Sequence, residues 1–229
     1  MTRLILFDID CTLIDTGGAG MTALREASVE TFGNEGPPLD LAGSTDSGIV
    51  RGLFQHFGRD FDPAFEEKFY LSYLPRMKEN LSSPCFGGRV LPGVRELIAS
   101  LEAEGHTLGL LTGNIERGAL IKATHYGLDQ HFAFGAYGDD HWDRNKLGPL
   151  ALERAQAATG LQFDPAEVLV IGDTPKDVAC AKAFGARSVA VATGAFDEDQ
   201  LAACGADLVI PNLVGLSRLD DAVRFLGIV

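Results

Sequence analysis

Leu4-Ile5-Leu6-Phe7-Asp8-Ile9-Asp10-Cys11-Thr12 decides how the rest of the chain reads. Four apolar residues in a row make a buried strand, and the strand ends abruptly in two carboxylates. Residues two apart on a strand point to the same side, so Asp8 and Asp10 aim together. Converging carboxylates repel each other and are costly to desolvate. A divalent cation held by oxygen ligands is the simplest offset. Taken alone, the pair fits an ordinary solvated turn after a strand equally well.

Working outward, further apolar strands are expected at 107–111, 132–137, 168–171, 188–192 and 208–210. Helices are expected between them, at about 115–126 and 147–159, with another after Pro175. Strands that are apolar throughout and alternate with helices specify a parallel sheet covered on both faces. In such sheets ligands bind beyond the carboxyl ends of the strands. Polar residues follow three of these strands directly: Asp8 and Asp10, Thr112-Gly113-Asn114, and Asp173.

The interval 15–88 is different. It carries helical spacing at 21–32, from Ser44-Thr45-Asp46 to Phe57, and from Asp62-Pro63 onward, with no strand pattern. The expected organisation is an α/β core at 1–14 and 89–229 with a helical insert at 15–88. Gly17, Gly18 and Gly20 on one side and Gly87-Gly88 on the other are hinge candidates.

The ordered set of strand-end motifs resembles the haloacid-dehalogenase-type hydrolases, a superfamily dominated by magnesium-dependent phosphatases. Asp8-Ile9-Asp10-Cys11-Thr12 is similar to its DxDxT signature, with Cys11 where glycine is usual. Thr112-Gly113-Asn114 fits its second motif, Lys146 its third and Gly172-Asp173-Thr174-Pro175-Lys176-Asp177 its fourth. The resemblance covers nearly the whole chain and implies a Rossmann-like, doubly wound core with a helical cap. Thr45-Asp46 after Gly43 is similar to a cap segment of phosphoglycolate-phosphatase-like members, and reads equally well as a plain helix N-cap.

The roles that the resemblance implies are specific. Asp8, ionised near neutral pH, is the nucleophile and with Asp173 a Mg²⁺ ligand. Asp10 gives its backbone carbonyl to the metal and its side chain to general acid–base work. Thr112 and the amides of Gly113 and Asn114 hold the phosphoryl oxygens. Lys146 stabilises charge, with Arg144 as the alternative source. Asp177 holds a metal-bound water or orients the lysine, unless it is only a first-turn aspartate favoured by the helix dipole. The implied reaction is hydrolysis of a small phosphorylated metabolite through an aspartyl phosphate. A phosphomutase and a non-catalytic phosphate-binding module are the alternatives. Dehalogenase chemistry is disfavoured by Asp10, which that branch generally lacks.

Composition bounds the partners. With 229 residues, 46% apolar and 22% charged, the chain can bury a sizeable core. A net charge of -13 argues against nucleic acid. The four cysteines lack disulfide or metal spacing, and the chain opens directly on a strand. No apolar run reaches the length of a membrane span. A cytoplasmic enzyme is expected, of unspecified oligomeric state.

Overall fold

A computed structural model of the chain describes residues 2–38 and 40–214. The end of the expected core segment, 215–229, lies outside them. In chain order the strands are β1 (Leu4–Phe7), β2 (Ile14–Asp15), β3 (Arg89–Val90), β4 (Thr107–Leu111), β5 (Gly135–Ala136), β6 (Leu169–Gly172), β7 (Arg187–Val191) and β8 (Leu208–Ile210). The helices are α1 (Ala19–Phe32), α2 (Asp46–His56), α3 (Pro63–Ser82), α4 (Val94–Ala103), α5 (Glu116–His125), α6 (Leu147–Thr159), α7 (Pro175–Ala183) and α8 (Glu198–Ala203).

Six strands form one parallel sheet in the order β5-β4-β1-β6-β7-β8. Every residue of β1 is buried, because alternate side chains enter different cores. Ile5 and Phe7 pack with Leu97, Ile98 and Leu101 of α4. Leu4 and Leu6 pack on the other face with Leu147, Ala151 and Ala155 of α6. The strand order reverses at β1, so loops after β1, β4 and β6 open a shared crevice. The expected strand at 132–137 is shorter than its apolar pattern. Only Gly135–Ala136 pair with β4, and Phe132 and Phe134 serve as partly buried packing groups instead.

Helices α1, α2 and α3 build a cluster of their own around Leu24, Leu53, Phe54, Phe69 and Met77, joined to the core helix α5 through Ile115. The chain segments entering and leaving this insert run side by side. Ile14 pairs with Val90 and Asp15 with Arg89 in an antiparallel two-stranded ribbon. No helix among the described residues is long and apolar enough to cross a membrane.

Candidate active site

Three carboxylates meet where β1 and β6 end. Asp8, Asp173 and Asp177 each present an oxygen within 4.8 Å of the others, and all three are buried. Strand β1 delivers Asp8, whose amide donates to the Ile171 carbonyl at 2.9 Å and locks the two strand ends together. Pro175 opens α7 with Thr174 as N-cap, and Asp177 closes the capping box by accepting from the Thr174 amide and hydroxyl. Burial pushes the Asp8 carboxyl up to about 6, against the pull of Arg144. Burial, Asp8 and Asp177 push Asp173 up to about 8. Shifts in this direction mean that the site resists ionisation and holds protons that a bound cation would replace.

The cation that answers them is Arg144. Its Nη2 donates to Asp8 Oδ1 at 3.0 Å and forms a buried ion pair with Asp177, while Nη1 reaches the Gly43 carbonyl at 3.0 Å. Burial opposes the Arg144 charge, yet Asp177 and Asp8 outweigh it and raise its pKa. The expectation at Lys146 is therefore corrected to its alternative Arg144, since Lys146 is exposed on the other side of the same turn. The reason is helical phase. Arg144, Leu147, Gly148, Ala151 and Ala155 share one buried stripe through the short 3₁₀ turn (Arg144–Lys146) and α6, and Lys146 falls off it.

The Asp10 side chain stands apart from the three-carboxylate cluster. Its oxygens accept from Lys122 Nζ at 2.8 and 2.6 Å and from Asn114 Nδ2 at 2.8 Å. Lys122 completes its third donor on Asn114 Oδ1 at 2.6 Å and is only 3% exposed. Asn114 thus uses its side chain, beyond the amide that the motif suggested. Thr112 is fully buried and accepts from Asn114 Nδ2 at 2.8 Å. Lys122 was not singled out in the sequence, although it stands among the small buried residues Gly118, Ala119 and Ala123 of α5. A lysine on the apolar face of the helix after motif two was the available signal.

Gly113 shows why glycine is needed between Thr112 and Asn114. A Cβ there would lie 2.0 Å from the Ser44 carbonyl oxygen, because the insert presses directly on this loop. Asp46 fastens the contact: its amide donates to the Gly113 carbonyl at 2.7 Å, and its carboxylate accepts from the Ile115 amide at 3.0 Å. Thr45 is the N-cap of α2, accepting from the Gly48 amide, and its hydroxyl also donates to the Trp142 carbonyl at 2.6 Å. The N-cap reading of Thr45 is thus the one observed, with Asp46 adding a contact to the core loop. Asp139 and Asp140 do not join the site. Asp139 accepts from the Glu116 amide, and Asp140 holds Arg154 in a fork of two 2.6 Å bonds.

Cys11 is the one non-glycine residue with positive φ among those described, at 57°. A side chain in this left-handed region costs about 1–3 kcal/mol. Cys11→Gly is expected to raise Tm by a few degrees, as relief of strain exceeds the entropic cost of glycine. A fall in Tm in a thermal melt would contradict this. Burial and nearby carboxylates, led by Asp173, push the Cys11 thiol up to about 12, so it is a poor nucleophile despite bordering the cavity. Nearby, Thr12 donates to Asp173 Oδ1 at 3.4 Å, and a Cβ on Gly194 would meet Asp173 Oδ2 at 1.8 Å.

A cavity of about 280 Å³ opens between these core loops and the insert. Its lining includes Asp8, Asp10, Gly113, Asn114, Lys122, Arg144 and Asp173 from the core, and Met21, Leu24, Asp46, Ile49 and Tyr73 from the insert. Five lining carboxylates outnumber two lining cations, so a phosphate dianion entering unaided meets net repulsion. The oxygen-only donor set Asp8, Asp173 and Asp177 suits a hard divalent cation.

Comparison with known proteins agrees with this geometry. The chain is 30% identical over 224 residues to a phosphoglycolate phosphatase of Chromobacterium violaceum, covering 95% of this chain and 96% of the other. It is 30% identical over 214 residues to an N-acetylmuramic acid 6-phosphate phosphatase of Pseudomonas aeruginosa, covering 92% and 91%. The fold matches the solved β-phosphoglucomutase of Clostridium difficile with a TM-score of 0.73 at 15% identity, covering 99% and 98%. The family model described as haloacid dehalogenase-like hydrolase matches residues 5–191. With the motif residues Asp8, Asp10, Thr112 and Asp173 all gathered at the sheet's carboxyl edge, the chain belongs to the haloacid dehalogenase-like hydrolase family.

Proposed function

We propose that the protein is a Mg²⁺-dependent phosphatase that hydrolyses a small phosphomonoester through an aspartyl phosphate on Asp8. The observation that carries this reading is the buried cluster of Asp8, Asp173 and Asp177, with Arg144 bonded across it and Asp10 alongside. Asp8, Asp173 and Asp177 would hold the ion, with the Asp10 carbonyl contribution implied by the family resemblance. When bound, Mg²⁺ neutralises the repulsion between the Asp8 carboxylate and the phosphate and polarises the phosphoryl group.

The chain's own residues divide the remaining work. Asp8 attacks phosphorus, and Arg144 both orients that carboxylate and offsets charge developing on the phosphoryl oxygens. Asp10 protonates the leaving oxygen and then takes a proton from the attacking water. Its carboxylate is aimed by Lys122 and Asn114, which grip it from one side and leave the side chain 38% exposed toward the cavity. Thr112 sets Asn114, and the Gly113 backbone borders the phosphoryl position. The helical insert acts as a cap that excludes water from the site, held down through Asp46, Thr45 and the Lys176–Asp40 and Lys176–Ser44 bonds. The two-stranded ribbon of β2 and β3 is the hinge about which it opens.

The test is hydrolysis of para-nitrophenyl phosphate by purified protein with Mg²⁺ and with chelator. Activity with Mg²⁺ and none with chelator is expected, and undiminished activity in chelator contradicts the reading.

The raised carboxyls make a second, activity-independent prediction. Asp8 and Asp173 rise from 3.8 to about 6 and about 8, so at intermediate pH the folded state holds more protons than the unfolded one. Metal-free stability therefore falls as pH rises through this interval. Mg²⁺ takes the place of those protons, so its effect on Tm is expected to be larger at pH 8.5 than at pH 6. Melts that ignore Mg²⁺ at both pH values would contradict the ion site.

A further inference from the structure

We infer that the cavity takes a phosphomonoester whose alcohol half is uncharged and carries an apolar face, and that it discriminates against alcohol halves bearing a carboxylate. This deepens the phosphatase reading and rests on it for the orientation of the ligand. With the phosphoryl group at Asp8, the alcohol half faces the insert. The insert wall of the cavity includes Met21, Leu24, Leu41, Ile49 and the Tyr73 ring, and its carboxylates are Asp46 and, at the insert's edge, Asp15. Asp46 keeps its position through the Ile115 amide and would forfeit that buried bond by swinging away.

The cations that line the cavity are already committed. Arg144 is bonded to Asp8 and Asp177, and Lys122 spends its three donors on both oxygens of Asp10 and on Asn114 Oδ1. A substrate carboxylate would have to strip Lys122 from the proposed acid–base group or lie beside Asp46 and Asp15. Either course juxtaposes like charges in a partly dehydrated site, a device that excludes a wrong ligand more strongly than apolar contact selects a right one. A neutral chain loses nothing there and gains by covering Met21, Leu24 and Ile49. The chemistry therefore differs from that named for the phosphoglycolate phosphatase relatives, whose glycolate half is an anion.

The matched pair 2-phosphoglycolate and 2-hydroxyethyl phosphate differs only in carboxylate against hydroxymethyl, and propyl phosphate adds the apolar end. With Mg²⁺, kcat/KM for 2-hydroxyethyl and propyl phosphate is expected to exceed that for 2-phosphoglycolate at least tenfold. Met21→Lys, which adds a cation to the insert wall, is expected to narrow that ratio. A kcat/KM for 2-phosphoglycolate equal to or above the neutral pair overturns the inference and leaves the phosphatase reading standing. Loss of all turnover, para-nitrophenyl phosphate included, overturns the phosphatase reading instead. In that event calorimetric titration of the Asp8→Asn protein with the same ligands and Mg²⁺ judges the pocket directly. Tighter binding of propyl phosphate supports the inference, whereas tighter 2-phosphoglycolate, or no binding of either, overturns it.

Discussion

Asp8→Asn is expected to remove phosphatase activity, with kcat lower by at least about 10⁴-fold, since a nucleophile acts as a unit with its neighbours. The substitution is nearly isosteric and keeps an oxygen that can accept from Arg144. Arg144 also keeps its pair with Asp177, so no buried charge is stranded. Burial already makes the Asp8 charge costly, and removing it relieves part of that cost. Tm of the metal-free variant is therefore expected at or above that of the parent. A folded Asp8→Asn protein with parental kcat would refute the assignment. A collapse of Tm would show that Asp8 serves the fold, which the geometry does not allow for.

The second large effect falls on Arg144. Arg144→Ala leaves Asp8 and Asp177 buried without their cation, a loss of about 3–5 kcal/mol. For a chain of this size that lowers Tm by roughly 10 °C. It also releases the Gly43 carbonyl at the edge of the insert. Turnover is expected to fall by about 10²–10³-fold through lost charge stabilisation. Arg144→Lys keeps the charge but loses the planar fork that joins Asp8, Asp177 and Gly43 at once, so an intermediate result is expected. Lys146→Ala, on the exposed side of the same turn, is expected to stay within about 0.5 kcal/mol of the parent with unchanged turnover. The reverse ranking, a damaging Lys146→Ala beside a silent Arg144→Ala, would restore the lysine. Kinetics and melts of the three variants side by side give the answer.

The difference between these two positions shows what the sequence could and could not convey. Strand ends were legible because an apolar run followed by Asp8, Thr112 or Asp173 is a local pattern, and parallel sheets bring such ends together by construction. The basic residue carries no such local mark. Arg144 and Lys146 lie two apart, and only the phase of α6, visible once Leu147, Gly148 and Ala151 are known to face inward, separates them. Strand β5 is shorter than its apolar pattern for a related reason. Phe132 and Phe134 look like strand residues, but their side chains pack beside the sheet, and Phe134 adds only its carbonyl to the pairing, accepting from the Leu110 amide.

Lys122 was hidden differently, because it looks like an ordinary helical residue and acquires its meaning from Asp10, far away in sequence. Asp46 stands out only as part of Thr45-Asp46, and its bond to the Ile115 amide carries no local mark. Cys11 was legible as an oddity, and its left-handed backbone explains why glycine is the usual occupant of that turn.

An aspartyl phosphate on Asp8 can be trapped chemically. The protein is mixed with substrate and Mg²⁺, quenched in acid during turnover, reduced with borohydride and digested for mass spectrometry. The peptide containing Leu4 to Leu13 is expected to carry homoserine in place of Asp8, and the Asp8→Asn protein to yield none. Turnover with Asp8 recovered only as aspartate, or with the reduced residue at another position, would contradict it.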